Sequence, residues 1–159
     1  MPVQPDSFKS ALSLWASGVS VICYKSQSKS GGITVSSFSS VSLDPPLILF
    51  CLAKSSQAKE AIEASKAFSV NILSNEQKQI SADFASGSLD KEEVLNKLNP
   101  KTAATGSPIL SGSLASLDCR LENMIDAGDH LIVIGHVEEA IAMEGQPLLY
   151  FNRNYRNLV

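Results

Sequence analysis

Residues 31–46 read GGITVSSFSSVSLDPP. Two glycines open the stretch, Asp44-Pro45-Pro46 closes it, and Thr34, Ser36, Ser37, Ser39, Ser40 and Ser42 lie between. Ile33, Val35, Phe38 and Val41 alternate with those hydroxyls, which predicts one β-strand with a face of very short polar side chains. A strand buried on both sides should not carry so many hydroxyls, and a surface loop should not alternate so regularly. The two prolines then set up LILFCL (47–52), an unbroken apolar run that predicts a strand buried on both faces.

Outward from this centre the pattern is mostly β. Asp6 or Ser7 is placed to cap a short helix with Phe8, Ala11, Leu12 and Trp15 on one face, and Gly18 to end it. VSVICY (19–24) alternates as a strand, and KSQSKSGG (25–32) reads as the hairpin loop behind it. A helix is expected from about Ser56 to Ser65 with Ala58, Ala61 and Ile62 inward, followed by the strand FSVNIL (68–73). Ser74 and Gln77 make a capping box for a helix that sets Ile80 and Phe84 one turn apart. Residues 86–108 are polar, with one short helical pattern around Val94, Leu95 and Leu98. Then LDCRLE (117–122) places Leu117, Cys119 and Leu121 on one face. LIVIGHVEEAIA (131–142) follows an Ala-Gly-Asp-His turn, and PLLYF (147–151) is the last strand before the tail NRNYRNLV. Such a tally of mainly antiparallel strands with a few short helices predicts a mainly β chain, a closed or partly closed barrel with peripheral α-helices, in one domain.

Composition removes several functions. Net charge is −3 with the signs mixed along the chain, and no basic stripe exists to hold nucleic acid. No segment is apolar for long enough to span a bilayer and the N-terminus lacks signal-peptide order, so a cytoplasmic protein without a membrane partner is expected. Cys23, Cys51 and Cys119 are far apart, and each sits in an apolar stretch, which suits reduced thiols rather than disulfide or zinc. His130 and His136 fall on one strand face roughly 20 Å apart, too far to share a metal ion, and no metal site is expected. Rossmann, P-loop and nucleophile-elbow motifs are absent. A reaction whose chemistry belongs to a bound cofactor fits this lack of protein acid, base and nucleophile.

The hydroxyls suit a flat heteroaromatic ring with a phosphate tail. Gly32, Thr34, Ser36 and Ser37 offer a short-side-chain surface to a ring, and Lys54-Ser55-Ser56, opening a helix, offers donors to a phosphate. The same residues equally suit a strand face in water and a helix cap. Residue chemistry alone leaves both readings standing.

A wider match decides between them. GGITVSSFSSVSLDPPLILFCLAKSSQA, FSVNILSNEQKQISADFAS, GSPIL, DCRL, AGDHLIVIGHV and PLLYFNRNYR, in this order, resemble the flavin reductase family with the FMN-binding split-barrel fold. The resemblance implies an NAD(P)H:flavin oxidoreductase that moves a hydride from the nicotinamide to FMN or FAD. It also implies a homodimer and a flavin-dependent monooxygenase partner that receives the reduced flavin. By position, Gly32, Ile33, Thr34, Ser36 and Ser37 would line the ring, and Cys51, Leu52 and Ala53 would follow the ribityl chain. Ser56, Gln57 and Ala58 would hold the phosphate, and Asp83 and Phe84 would close over the far end. His130, Arg153, Asn154, Tyr155 and Arg156 would form the nicotinamide side, with His130 as the one residue near the chemistry. The competing classes are a non-catalytic split-barrel module for flavin or haem, and a pyridoxamine-phosphate-oxidase-like enzyme. One departure is local: many relatives follow the Asp-Lys pair with an aromatic residue, whereas here Asp90-Lys91 precedes Glu92-Glu93.

Overall fold

A computed structural model describes residues 2–159. Pro5–Ser13 form helix α1, and Ser17–Gly18 the short strand β1. Strands β2 (Ser20–Lys25), β3 (Ser30–Val35), β4 (Ser39–Leu43) and β5 (Pro46–Ala53) lead to helix α2 (Ala58–Ser65) and strand β6 (Ala67–Ile72). A 3-10 turn at Asn75–Gln77 opens helix α3 (Lys78–Ala85), and α4 is Lys91–Lys97. The short β7 (Lys101–Thr102) and β8 (Pro108–Ile109) precede two long strands, β9 (Ala115–Ala127) and β10 (His130–Ala142). The hairpin of β11 (Leu149–Phe151) and β12 (Asn154–Arg156) comes last.

Seven strands make one antiparallel sheet in the order β3-β2-β6-β9-β10-β5-β4. Its two edges, β3 and β4, are joined by Ser36, Ser37 and Phe38 alone. Such a link spans at most roughly 14 Å, whereas the edges of a flat seven-stranded sheet would lie roughly 29 Å apart. The sheet therefore curls into a barrel, split along the β3–β4 seam. The stretch 31–46 is accordingly two strands and not one. Its hydroxyl-rich half is an exposed edge strand, and a register shift between Ser40 and Ser42 breaks the expected alternation.

Inside the barrel Phe50 and Phe68 meet edge to face at 5.2 Å, and Ala58, Ala61 and Ile62 of α2 close one end as expected. β2 is buried on both faces, with Ile22 and Tyr24 toward the barrel and Val21 and Cys23 toward a second core. That second core is built with Phe84 of α3, Leu95 of α4 and Leu148. β5 departs from its expected double burial. Ile48, Phe50 and Leu52 are buried, while Leu47, Leu49, Cys51 and Ala53 on the outer side are only half-buried. The reason is position: α3 and α4 pack against β2 and β3, at the other end of the sheet order.

Two termini also differ from expectation. α1 begins at Pro5 and stops at Ser13, while Gly18 belongs to β1. The helix buries no residue, and Trp15 just beyond it is 76% exposed. The tail is not irregular: β12 folds back on β11 through Asn152 and Arg153, both in left-handed conformation, as a tight hairpin turn requires. In the polar 86–108 region the Asp90 carboxylate caps α4, accepting from the Glu92 and Glu93 amides at 2.9 and 3.3 Å. The loop behind α4 is pinned by buried polar groups. Asn71 Oδ1 accepts from the Leu110 amide at 2.9 Å, and Asp118 Oδ2 accepts from the Thr105 amide at 2.9 Å.

Candidate active site

The seam carries the site. β4 pairs with β5 only as far as Leu49, so the backbone of Cys51–Ala53 has no strand partner on that edge. Ser37 fills the first gap with its side chain: Oγ accepts from the Cys51 amide at 2.9 Å and donates to the Cys51 carbonyl at 3.4 Å. On the other side of the seam, a cleft of about 170 Å³ is lined by Thr34, Ser36, Ser81, Ala85, Tyr150 and Tyr155, with Val19 and Val35 below. Thr34 and Tyr155 are far apart in sequence, and the fold brings the first strand of the seam and the C-terminal hairpin to one wall.

The cleft is smaller than the roughly 300–1,000 Å³ of a complete small-molecule pocket, so it accommodates part of a ligand. Beyond Ser37, β5 runs for roughly 7 Å between Cys51 and Ala53 to the first turn of α2, and the Ala53 carbonyl accepts from the Ser56 amide at 2.9 Å. There Ser56 Oγ accepts from the Ala58 amide at 3.2 Å, and Gln57 is exposed. Hydroxyls at the cleft for a ring, a strand end beyond the last β4 pairing for a chain and a helix start for an anion fit a flavin nucleotide.

Not every residue assigned from sequence faces this track. Gly32 and Phe84 answer each other instead: a Cβ on Gly32 would lie 2.8 Å from Phe84 Cε1, and Phe84 is buried in the second core. The glycine leaves room for that phenyl ring. Ile33 and Leu52 turn their side chains into the barrel, leaving only their backbone, and Ala58 is buried beneath α2. Asp83 Oδ1 accepts from Gln79 Nε2 at 2.8 Å, while the Asp83 carbonyl accepts from Lys91 Nζ at 2.7 Å. Lys91 thus ties the end of α3 to the start of α4.

His130 lies opposite Ala53 in the β10–β5 register, at the α2 end of the track. It shares a 2.7 Å hydrogen bond with the carboxylate of Asp129, and this bond holds Asp129 below the usual carboxylate range. Tyr155 reaches the cleft, whereas Arg153 forms the hairpin turn and Asn154 and Arg156 are exposed. Ser81, Tyr150 and Lys91 were not assigned from sequence. A serine on the buried side of an otherwise exposed helix is the signal that could have found Ser81. No group of three or more metal-ligating side chains occurs among the described residues, and His136 pairs with Glu138.

A split antiparallel barrel with a shallow, mainly apolar cleft rimmed by hydroxyls on its seam, and a helix start beyond the seam, fits a nucleotide-cofactor-binding barrel. The comparisons give that class its family. The flavin reductase like domain matches residues 12–159, and the chain belongs to this family. It is 38% identical over 159 residues to the reductase subunit of a flavin-dependent monooxygenase of Mycobacterium tuberculosis, covering 98% of this chain and 83% of that protein. It is 36% identical to the reductase component of a 4-hydroxyphenylacetate 3-monooxygenase of Thermus thermophilus, covering 97% of each. Among solved structures, an NADH:FAD oxidoreductase of Streptomyces globisporus in complex with NAD and FAD fragments superposes with a TM-score of 0.90 at 26% identity. The match covers 100% of this chain and 97% of that one.

Proposed function

We propose that the protein is an NAD(P)H-dependent flavin reductase that binds FMN or FAD along the seam and supplies reduced flavin to a monooxygenase partner. One observation carries the reading. Thr34, Ser36 and the C-terminal tyrosines line a single cleft, and the next residue, Ser37, bonds the backbone of Cys51 on the strand that leads to α2. When bound, the flavin supplies the hydride acceptor and the reduced nicotinamide the donor. The chain's own part is orientation. Ser36, exposed at the rim, and the backbone of Ser36–Ser37 and Cys51–Ala53 would hold the ring and its chain. Ser56 and Gln57 would hold the phosphate, and Tyr155 and His130 would bound the nicotinamide side.

The reading includes a homodimer. Leu47, Leu49 and Cys51 on β5 stand in register with His136, Ile134 and Ile132 on β10, forming an outward apolar band that Ile125 of β9 extends. A second copy laid against this band would cover it and enlarge the partial cleft. Three free thiols suit a reducing cytoplasm, and no helix is long and apolar enough to cross a membrane.

The test is a spectrum and a rate. Purified protein supplied with FMN or FAD should perturb the flavin absorbance and oxidise NADH or NADPH in proportion to enzyme. Protein that leaves the flavin spectrum unchanged and consumes neither nucleotide would end the proposal, whereas flavin binding without nicotinamide oxidation would select the non-catalytic module.

A further inference from the structure

We propose that Ser81 is a positioning residue for the nicotinamide side of the cleft: it latches the Tyr155 hydroxyl and, through its own carbonyl, anchors Thr34. The proposal rests on the function given above. Ser81 is fully buried on α3, where a helix-interior serine without a partner would be unfavourable. Its Oγ lies 2.7 Å from Tyr155 Oη, and its carbonyl accepts from Thr34 Oγ1 at 2.7 Å. Three elements, β3, α3 and β12, are thereby joined by hydrogen bonds at the cleft wall.

The neighbours show why this contact sets the register. Thr34 and Gly32 occupy the same face of β3, and Ser81 and Phe84 are one turn apart on α3. Phe84 over Gly32 is the apolar half of a two-point fit, and Ser81 on Thr34 is the polar half. Only the polar half touches the cleft. The Tyr155 ring is further placed by Tyr150, edge to face at 5.6 Å, and by Lys78 Nζ at 5.8 Å from its centroid. Those contacts fix the ring's plane, while the Ser81 hydroxyl fixes its distance from Thr34. Losing that hydroxyl frees the hairpin to swing on its turn at Asn152 and Arg153.

Ser81→Ala, Tyr155→Phe and the double variant test this. In flavin-free protein, trypsin should cut after Arg153 or Arg156 about five-fold faster in each single variant than in wild type, the scale of one lost hydrogen bond. In flavin-loaded protein the KM for NADH should rise about five-fold, with kcat changing less than about two-fold. The double variant should match the singles, because both remove the same bond. Faster cleavage with an unchanged KM, or effects that multiply in the double variant, would overturn the proposal. Should Ser81→Ala fail to fold by circular dichroism, Tyr155→Phe alone decides, since it leaves α3 intact. Wild type that oxidises no NADH would sink the functional reading instead, and the cleavage comparison would still judge the latch.

Discussion

Gly135 and Gly87 carry opposite consequences for the same added methyl. A Cβ on Gly135 would sit 2.5 Å from Phe68 Cζ, in the edge-to-face pair at the centre of the barrel, whereas Gly87 has nothing within 4 Å. Gly135→Ala should therefore destabilise by about 1–3 kcal/mol through overpacking. Gly87→Ala should leave stability unchanged or raise it by about 0.4–1 kcal/mol through the unfolded chain. Urea midpoints measured side by side test the pair, and a Gly135→Ala midpoint equal to wild type would refute the packing argument. The cysteines divide in the same way. Cys23 and Cys119 are sealed in the cores and Cys51 faces outward on β5, so a native monomer should titrate one thiol, a dimer closed over the β5–β10 band none, and unfolded protein three. In the monomer, bound flavin should slow the Cys51 reaction, and equal rates with and without flavin would remove Cys51–Ala53 from the track. Much of this scale was legible in advance: Thr34, Ser36, Ser37 and Tyr155 were named from sequence and lie at the seam or its cleft. Gly32 and Phe84 pack on each other, and a glycine accommodating a neighbour's ring looks, in sequence, like a glycine accommodating a ligand.

Between elements, the Asp90-Lys91 pair is a joint. Asp90 caps α4, and Lys91 Nζ donates to the Asp83 and Ser86 carbonyls at the end of α3, so adjacent residues fasten consecutive helices. Asp90→Ala should cost about 1 kcal/mol, which lowers Tm by about 2–4 °C in a chain of this size. An unchanged Tm would show that the cap is redundant. The outward band of β5 and β10 makes a stronger claim. Ile134→Asp places a charge in its middle, and the expected result is a monomer by light scattering with weakened flavin binding. A folded Ile134→Asp dimer would remove this face from the interface. Periodicity located β10 almost whole, from Leu131 to Ala142, but only Leu117–Glu122 of the thirteen-residue β9. It failed at the seam because β3 and β4 share one hydroxyl-rich run, and the break at Ser36–Phe38 is imposed by barrel closure, which local pattern does not record.

At the scale of the whole molecule, Cys23, Tyr24 and Cys119 are held neutral by burial. Desolvation pushes the Cys23 thiol far above its ordinary value, the Tyr24 hydroxyl from 10.0 to about 12 and the Cys119 thiol from 9.0 to about 12. Below the ordinary thiol value of 9.0 the folded and unfolded chains bind these protons equally, and stability is fully present. As pH rises beyond it, the unfolded chain releases protons that the folded chain keeps, so unfolding becomes progressively easier until the folded values are reached. The exposed carboxylates of Asp126 and Asp129 act at the other end. Lys54 and His130 hold them below their usual range, so their small contribution is present at neutral pH and fades only in acid. Thermal unfolding should therefore show a plateau near neutrality and a decline that begins above about pH 9. The double variant Cys23→Ala, Cys119→Ala starts from a lower Tm because it loses packing, yet between about pH 8 and pH 11 its Tm should fall less than that of wild type. Curves that descend in parallel would assign the alkaline loss to lysines and surface charge rather than to the sealed cores of the barrel.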